Sequence, residues 1–483
     1  MKNSDIDGTK VNKSLINESL VNDSLVNDSL VNESLVNDSL VNDPPKNLLQ
    51  KMRWVGPSFI VAAAAIGSGE LINATRLGAV ASFAVLWVVV WGVVLKGFIQ
   101  QEIGRYTLTT RKTITEGFAD IPGPKFYGKS WFLWIILSLL AVVILLIIAG
   151  VGGTIGGVLH SLFPAVSAST WGIIANITYL PILLLGIVVP KINVYSVVEK
   201  LMTVAVLGLT LFMLYIAFIA LPLSDQYSIS MGEVFAGMNF QIPDGALLVS
   251  LAVLGSIGAG VELIFYSTWL ISKGYLEQAY DDQDSEAKKS ERMKTWLGIL
   301  KLDTWLGVIL TLVVSVAFFT TGAVVLNSYT NVPEGVNMIE EISVIFTDVL
   351  GPNYYIIFMI LALIALFSTA LGVADGAARM VIDIRNEISK KAVFKKSANT
   401  IYSWAIVIIV LSWIIFYAFV SAPTFLITVG AAALSLLFPL YGLALLYLNR
   451  QVPQKHRMSG IVKVILVISF ILFTSIWLFS EFV

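Results

Sequence analysis

Two short stretches of this sequence share one pattern. Residues 65–72 have the sequence Ala-Ile-Gly-Ser-Gly-Glu-Leu-Ile, and residues 257–264 have the sequence Ile-Gly-Ala-Gly-Val-Glu-Leu-Ile. In each stretch, small residues interrupt a long apolar segment and are followed by Glu-Leu-Ile, which contains Glu70 or Glu262. Glycine-interrupted apolar segments at corresponding positions of two halves indicate a binding site between broken membrane helices. The two stretches therefore predict both the fold and the place of its site.

The composition around these stretches is that of an integral membrane protein. Of the 483 residues, 57% are apolar and 13% are charged, whereas soluble domains carry about 25% charged residues. The chain contains no cysteine and two histidines, which excludes disulfides, thiolate metal sites and a histidine-rich metal centre. The net charge of −1 provides no basic surface for nucleic acid. No nucleophile–base set or cofactor motif is present, so we expect neither an enzyme nor a bound cofactor.

From residue 54 onward, apolar stretches recur with roughly the 20 residues that a helix needs to cross a bilayer. They exceed the length of a barrel strand, about 9–11 residues, and therefore predict an all-α membrane protein. We predict eleven spans, numbered in chain order: 54–80, 83–105, 131–158, 171–189, 194–222, 245–271, 296–325, 353–384, 401–420, 424–448 and 460–481. Span 1 and span 6 contain the two glutamate motifs and are the ones we expect to be broken.

Loop charge predicts the orientation of the spans. Lys and Arg occur before span 1 and in the loops after the even-numbered spans, and they are absent from the loops after spans 1, 3, 5, 7 and 9. Cytoplasmic loops are the ones enriched in Lys and Arg. The sequence therefore predicts a multi-pass protein of the plasma (cytoplasmic) membrane, with its N-terminus in the cytoplasm and its C-terminus outside.

The distance between the two motifs predicts an inverted repeat. An odd number of spans, five, separates span 1 from span 6, so equivalent helices of the two halves cross the membrane in opposite directions. We expect a transporter domain over residues 46–483, with repeat one at about 54–222, repeat two at about 245–448 and an extra span at about 460–481. This is a 5+5 inverted repeat.

The first 45 residues have a different character. A five-residue unit, Ser-Leu-(Val/Ile)-Asn-(Asp/Glu), repeats six times from Ser14 to Asp43 and is followed by two prolines. A period of five matches neither a helical face nor a strand. We therefore interpret residues 1–45 as a disordered cytoplasmic tail. No apolar segment follows Met1, so we do not expect a signal peptide.

Glu70 and Glu262 are the expected ligands. An ionisable residue inside a span costs about 2.5–3.5 kcal/mol on insertion scales and is usually functional. Two carboxylates facing one cavity would not both stay ionised without a cation or a shared proton. The predicted binding residues are the small residues of the two breaks, the two glutamates and one residue a turn beyond each: Gly67, Ser68, Gly69, Glu70, Asn73, Gly258, Ala259, Glu262 and Tyr266.

A structural explanation of the same motifs stays open. Closely spaced glycines are also typical of helix packing faces in membranes, and a single Glu can cap a structural turn. We interpret the other charged residues of the spans as mainly structural: an i,i+4 ladder in span 8 that could also act as a gate or coupling element (Asp375, Arg379, Asp383), a lysine of span 2 that snorkels or pairs near the cytoplasmic end (Lys96), interfacial residues near the start of span 7 (Lys301, Asp303), and a pair at the cytoplasmic edge that could also latch a gate (Glu199, Lys200).

Several segments resemble the Nramp divalent-metal transporters, a family of the LeuT-type superfamily. The resemblance covers about residues 52–448 and implies a LeuT-type architecture. It runs without a gap from the start of span 1 to the start of span 2 (Gly56-Pro57-Ser58-Phe59 to Leu86-Trp87-Val88). It continues at the end of span 2 and beyond, in span 5 and before span 8: Gln101-Glu102-Ile103-Gly104-Arg105, Lys112-Thr113-Ile114-Thr115-Glu116-Gly117, Glu199-Lys200-Leu201 and Gly351-Pro352.

The chain departs from the family at the positions that bind metal. The family's Asp-Pro-Gly-Asn motif aligns with Gly67-Ser68-Gly69-Glu70, and its Met-Pro-His motif aligns with Glu262-Leu263-Ile264. Only Glu70 and Glu262 carry over as metal-ligand positions, each with a changed side chain. Carboxylates and carbonyls suit Mg²⁺, Mn²⁺ or Ca²⁺ better than soft metals. The family's acidic residues in span 3 and arginine in span 9 have no counterpart, so transport could be uncoupled from protons.

A second substrate class stays open. The Gly67-Ser68-Gly69 stretch also resembles the break of amino-acid transporters of the same architecture, which bind a substrate carboxylate at the half-helix N-terminus. Glu70 would repel that carboxylate unless protonated. The main hypothesis is therefore transport of a divalent metal cation by alternating access, and the alternative is proton-coupled symport of a small organic or amino-acid-like solute. The expected partners are the lipid bilayer, the transported cation or solute and, if transport is coupled, protons.

Overall fold

The computed structural model describes residues 43–188, 206–281, 283–329, 332–389 and 395–479. The repeats of the N-terminal tail, Glu199 and Lys200 lie outside the described residues. So does the side chain of Asp383, the last member of the predicted ladder in span 8.

The described chain is mostly α-helical, which confirms the all-α prediction. One two-stranded antiparallel hairpin, Lys125–Phe126 with Lys129–Ser130, precedes span 3. The α-helices comprise Leu48–Met52, Pro57–Ala65, Thr75–Ala81, Leu86–Thr110, Ile114–Ala119, Trp131–Leu162, Ala168–Val188, Val206–Ala220 (its last turn π-helical), Met231–Ala236, Leu247–Ser256, Glu262–Ser272, Tyr275–Ala279, Glu286–Thr321, Met338–Leu350, Tyr354–Ser389, Lys395–Phe419, Pro423–Leu434, Leu437–Leu448 and Gly460–Phe479.

Within the described part of the chain, seven helices are long and apolar enough to cross a membrane. The longest continuous one, Pro57–Thr110, contains the predicted spans 1 and 2, and the other six correspond to spans 3 and 7 to 11. Shorter apolar helices lie in the predicted spans 4, 5 and 6. Every predicted span thus contains helix, although spans 4 to 6 are not long enough in the described residues to count as crossings.

Span 1 is not broken, and this part of the prediction is wrong. Between the α-helices Pro57–Ala65 and Thr75–Ala81, residues Ile66–Ala74 continue as a π-helix. The glycines here serve close packing rather than unwinding. A Cβ on Gly67 would lie 2.2 Å from the Thr369 hydroxyl of span 8, and one on Gly69 would lie 2.8 Å from the Ser256 carbonyl of span 6. The wider π turn lets the helix keep its hydrogen bonds while it changes which side chains face its neighbours.

Span 6 is broken where the sequence predicts it. The helix Leu247–Ser256 ends before Ile257, which is extended with φ −70° and ψ 149°. Gly258 follows with φ +78°, a left-handed conformation that glycine adopts at little cost. The second half-helix begins at Glu262. We call the non-helical residues 257–261 the span-6 break.

The start of span 7 differs from the prediction, whereas the charged ladder of span 8 agrees with it. The helix of span 7 begins at Glu286, about three turns before the predicted start, with the Ser285 hydroxyl as its cap. In span 8, the Arg379 Nε donates to Asp375 at 2.8 Å, and the Tyr402 hydroxyl donates to the other oxygen of Asp375 at 2.7 Å. The first two members of the predicted ladder therefore do form an ion pair.

Candidate functional site

Three buried charged side chains bind two peptide groups of the span-6 break, the one between residues 257 and 258 and the one between residues 259 and 260. Lys96 of span 2 donates to the carbonyl oxygens of Ile257 and Ala259, the second at 3.1 Å. Glu70 accepts from the Gly258 amide at 3.1 Å, and Glu262 accepts from the Gly260 amide at 2.8 Å. The ammonium thus binds the two carbonyls and the carboxylates bind the two amides in alternation. Backbone groups that the break releases from helical bonding are satisfied by full charges.

Glu70 lies on the π-helical segment and is completely buried. One oxygen, Oε1, accepts from the Gly258 amide and from the Ser315 hydroxyl of span 7 at 3.0 Å. The other oxygen, Oε2, is buried and has no hydrogen-bond partner among the described residues. A buried carboxylate oxygen left without a donor is costly. This oxygen is therefore available to a cation, a proton or a water molecule.

Glu262 begins the second half of span 6 and is 5% exposed. Together with Ser68, Ser256 and Thr369, it forms the polar side of a small cavity whose other side is apolar. The cavity has a volume of about 20 Å³, enough for one water molecule or one bare ion. Glu70 does not line this cavity. The two glutamates meet through the span-6 break rather than by facing a common space.

The two remaining predicted site residues, Asn73 and Tyr266, lie in different places. Asn73 is buried beside the break, where its amide nitrogen donates to the Ser256 hydroxyl at 3.0 Å and its amide oxygen has no partner among the described residues. Tyr266 belongs to a different cluster. Its hydroxyl contacts Ser58, Asp303 and Thr304 at 3.0–3.3 Å, so the structure does not bring it to the two glutamates.

Asp303 organises that second cluster, which we call the Asp303 network. Its Oδ1 accepts from the Gly56 amide at 2.7 Å. Its Oδ2 accepts from the amide and hydroxyl of Ser58, at 3.2 and 2.6 Å, and from the Tyr266 hydroxyl at 3.0 Å. Asp303 is fully buried, so its interpretation as an interfacial residue is wrong. It caps the first turn of span 1 and joins that turn to spans 6 and 7.

Arg76 holds the other end of span 1. Its Nε donates to the Pro333 carbonyl at 2.8 Å, and one terminal nitrogen donates to the Thr428 hydroxyl of span 10 at 2.6 Å. A weaker contact reaches the exposed Glu334 carboxylate at 3.4 Å. We call these contacts the Arg76 network. Ser58 and Arg76 lie roughly 25 Å apart along a helix with a rise of 1.5 Å per residue, and Glu70 lies between them.

Sequence reasoning missed Arg76 and misplaced Lys96. Lys96 is 1% exposed, and its ammonium lies over the Phe438 ring at 4.5 Å from the centroid, so it does not extend toward a membrane surface. A signal was present for both residues. Each is a single cation well inside an apolar stretch, the pattern that marks a functional or paired charge in a membrane helix.

The donors at this site are oxygens. The cavity and the break present carboxylate, hydroxyl and carbonyl oxygens, and in the part of the chain that the structure describes no cysteine, methionine or histidine lines them. Within that same part, no group of three or more His, Cys, Asp or Glu side chains could hold a metal ion. A cation here would be bound by two carboxylates at most, together with neutral oxygens.

The fold matches that of known membrane transporters. The crystal structure of a single-site variant of the Eremococcus coleocola manganese transporter superposes with a TM-score of 0.59 and 16% sequence identity, covering 93% of this chain and 90% of the other. At that identity, the likeness establishes the fold. This chain is thus a multi-helix membrane protein whose helices are arranged as in that manganese transporter.

The family follows from the sequence. The family model described as "Natural resistance-associated macrophage protein-like" (Nramp) matches residues 58–480, so the chain belongs to the Nramp family, as its motifs predicted. The divalent metal cation transporter MntH of Yersinia pestis is 26% identical over 332 residues, 68% of this chain and 72% of the relative. The MntH of Erwinia tasmaniensis is 32% identical over 92 residues, 19% of this chain and 21% of the relative.

Proposed function

We propose that this protein transports divalent metal cations across the membrane and prefers hard cations such as Mg²⁺, Mn²⁺ or Ca²⁺. Family membership and the relatives named as divalent metal cation transporters support the substrate class. The observation that carries the position of the site is the buried Oε2 of Glu70, which has no partner among the described residues and lies beside the span-6 break.

The chemistry of the donors supports the preference for hard cations. Glu262 supplies carboxylate oxygens and Ser68, Ser256 and Thr369 supply hydroxyl oxygens around the cavity, while Glu70 supplies a carboxylate beside the span-6 break. Mg²⁺, Ca²⁺ and Mn²⁺ favour oxygen ligands, whereas softer metals gain from thioether or imidazole ligands. The resemblance to the family's Met-Pro-His motif implies that Glu262 and Ile264 take the methionine and histidine positions, which favours hard cations.

Alternating access is the mechanism we propose. The Asp303 and Arg76 networks tie opposite ends of span 1, so releasing one while keeping the other would open the site to one side at a time. We further propose that the eleven predicted spans form a 5+5 inverted repeat with a cytoplasmic N-terminus, an external C-terminus and a tail outside the transport domain. The alternation of loop charge and the odd spacing of the two glutamate motifs support this topology.

The size of the cavity favours a cation over an organic solute. A volume of about 20 Å³ admits one water molecule or an ion, and an amino-acid-like substrate needs several times that space. The second hypothesis, proton-coupled transport of an organic solute, would therefore require a large rearrangement of the helices around Glu262.

Transport of Mn²⁺ into proteoliposomes tests the proposal. We expect proteoliposomes that contain the full-length protein to take up Mn²⁺ down its concentration gradient. Mg²⁺ or Ca²⁺ should compete with Mn²⁺ for this transport. Glu70→Gln and Glu262→Gln keep the side-chain shape but remove a charged ligand, so each should reduce Mn²⁺ flux at least about tenfold, the effect of losing roughly 1.4 kcal/mol of binding.

The matched control is Glu233→Gln, which removes one exposed carboxylate far from the site in sequence and should leave flux unchanged. Folded protein that carries no divalent cation, or glutamine variants that transport as well as the parent chain, would refute the proposal. Gradient-driven accumulation of an amino acid would favour the second hypothesis.

A further inference from the structure

Lys96 occupies the carbonyl oxygens that the span-6 break exposes. Its ammonium donates to the carbonyls of Ile257 and Ala259 and contacts the face of the Phe438 ring on span 10. It is as deeply buried as the two glutamates. Two carbonyls and one aromatic face are ligands that suit a cation, and here the cation belongs to the protein itself.

Both carboxylates of the proposed metal site act on the same ammonium. Lys96 interacts electrostatically with Glu70 and with Glu262, while these side chains bind the amides that alternate with its own carbonyls. The break therefore has a cation at its oxygens and anions at its nitrogens. Hard metal ions seek the same carboxylate and carbonyl oxygens, so a metal ion at the break would compete with this ammonium.

Charge balance reaches the same conclusion. Two carboxylates balance the charge of one divalent cation. If the ammonium stays in place as well, the occupied site carries an excess positive charge. In a medium of low effective dielectric, a divalent ion a few ångströms from a fixed positive charge is strongly repelled. The lysine stem is flexible and its head is a compact charge, so the ammonium can withdraw when a metal ion arrives and return when the ion leaves.

We propose that Lys96 is a tethered cation that competes with the transported divalent ion for the oxygens of the span-6 break and thereby sets the affinity of the site. The inference rests on the proposed function, since it assumes that divalent ions bind there. Lys96 offsets one of the two carboxylate charges of the empty site, and it makes binding weaker than the two carboxylates alone would allow.

Equilibrium binding of Mn²⁺ alone to the purified full-length protein tests this inference. Lys96→Met keeps the length and apolar stem but removes the charge, so we expect it to bind Mn²⁺ at least about tenfold more tightly than the parent chain. Lys96→Arg keeps a positive charge and should not gain affinity. Lys301→Met, which removes an exposed lysine of span 7, is the matched control and should bind as the parent does.

Stability of the metal-free protein is the second readout, because Lys96→Met removes the ammonium donor from both carbonyls and leaves the Ile257 carbonyl with only the Ala259 amide as a donor. We expect its melting temperature to fall and Mn²⁺ to raise it more than in the parent chain. Lys96→Gln, which retains a donor without the charge, should show the same gain in affinity with a smaller loss of stability. If neither neutral variant folds, Lys96 is a structural residue and the inference is overturned.

The outcomes separate this inference from the proposed function. If the parent chain binds and transports Mn²⁺ but folded Lys96→Met binds it equally or more weakly, the tethered-cation inference fails and the transport proposal stands. If neither protein binds any divalent cation, the proposed function itself fails. Tighter binding by both neutral variants, without a gain in the arginine variant, supports the inference.

Discussion

Replacing Asp303 by asparagine is expected to loosen the end of the protein where span 1 begins. The Asp303 carboxylate accepts four hydrogen bonds, one at Oδ1 from Gly56 and three at Oδ2 from Ser58 and Tyr266. An asparagine has one acceptor oxygen. Placing that oxygen at the Oδ2 position points the amide NH₂ group at the Gly56 amide, so two donors face each other.

The structure sets the size of the effect. A hydrogen bond to a charged group is worth about 1.5–3 kcal/mol, and a negative charge at a helix N-terminus adds about 0.3–1 kcal/mol. Asp303→Asn should therefore destabilise the tied arrangement by about 2–4 kcal/mol. At 1.4 kcal/mol per factor of ten, the opening equilibrium at this end should shift at least about thirtyfold.

Cysteine labelling measures this opening directly, because the natural chain has no cysteine. Ala65→Cys places one thiol in the wall of the cavity. In the Asp303→Asn background, an impermeant thiol reagent added on the side where span 1 begins should label it at least about thirty times faster. Asp225→Asn, an exposed aspartate, is the control. Unchanged labelling in a folded Asp303→Asn protein would refute the gating role of the network.

Three further substitutions test individual contacts by thermal denaturation. Gly67→Ala places a methyl group 2.2 Å from a hydroxyl oxygen and should cost about 1–3 kcal/mol, whereas Gly298→Ala, with open space around it, should not destabilise. In Arg76→Lys, the single ammonium cannot reproduce the guanidinium hydrogen bonds to the Pro333 carbonyl and the Thr428 hydroxyl. The free energy of unfolding should fall by about 1–3 kcal/mol, and parent-like stability would contradict this. Burial and nearby positive charges lower the pKa of His456, so the folded state favours neutral histidine and stability should fall as pH drops below about 6.5. His456→Gln should remove that component, and an identical pH profile would contradict it.

The helices and the break in span 6 are predictable from sequence because their signals are local. Apolar length predicts spans, and the flanking glycines with Glu262 predict where a helix ends and restarts. The same local signal is ambiguous in span 1. There Gly67 and Gly69 approach Thr369 and Ser256, and contacts between residues distant in the chain favour a π-helix over an unwound segment.

The role of each buried charge depends on such distant contacts, which explains the errors in the site. Asp303 occurs near the predicted start of span 7, where interfacial charges are common, and the long stem of Lys96 could extend from span 2 toward an interface. What buries them is the span-6 break and the first turn of span 1, whose free carbonyls and amides need partners. A helix break or a helix start leaves backbone groups without helical partners, but the sequence does not show which side chain binds them.

X-ray absorption at the Mn²⁺ edge of the metal-loaded, purified protein tests the central claim most directly. The account predicts bound Mn²⁺ with a shell of oxygen ligands and no sulfur or imidazole, and loss of that signal in Glu70→Gln and in Glu262→Gln but not in Glu233→Gln. A first shell that contains nitrogen or sulfur ligands, or Mn²⁺ bound equally well by all four proteins, would contradict it.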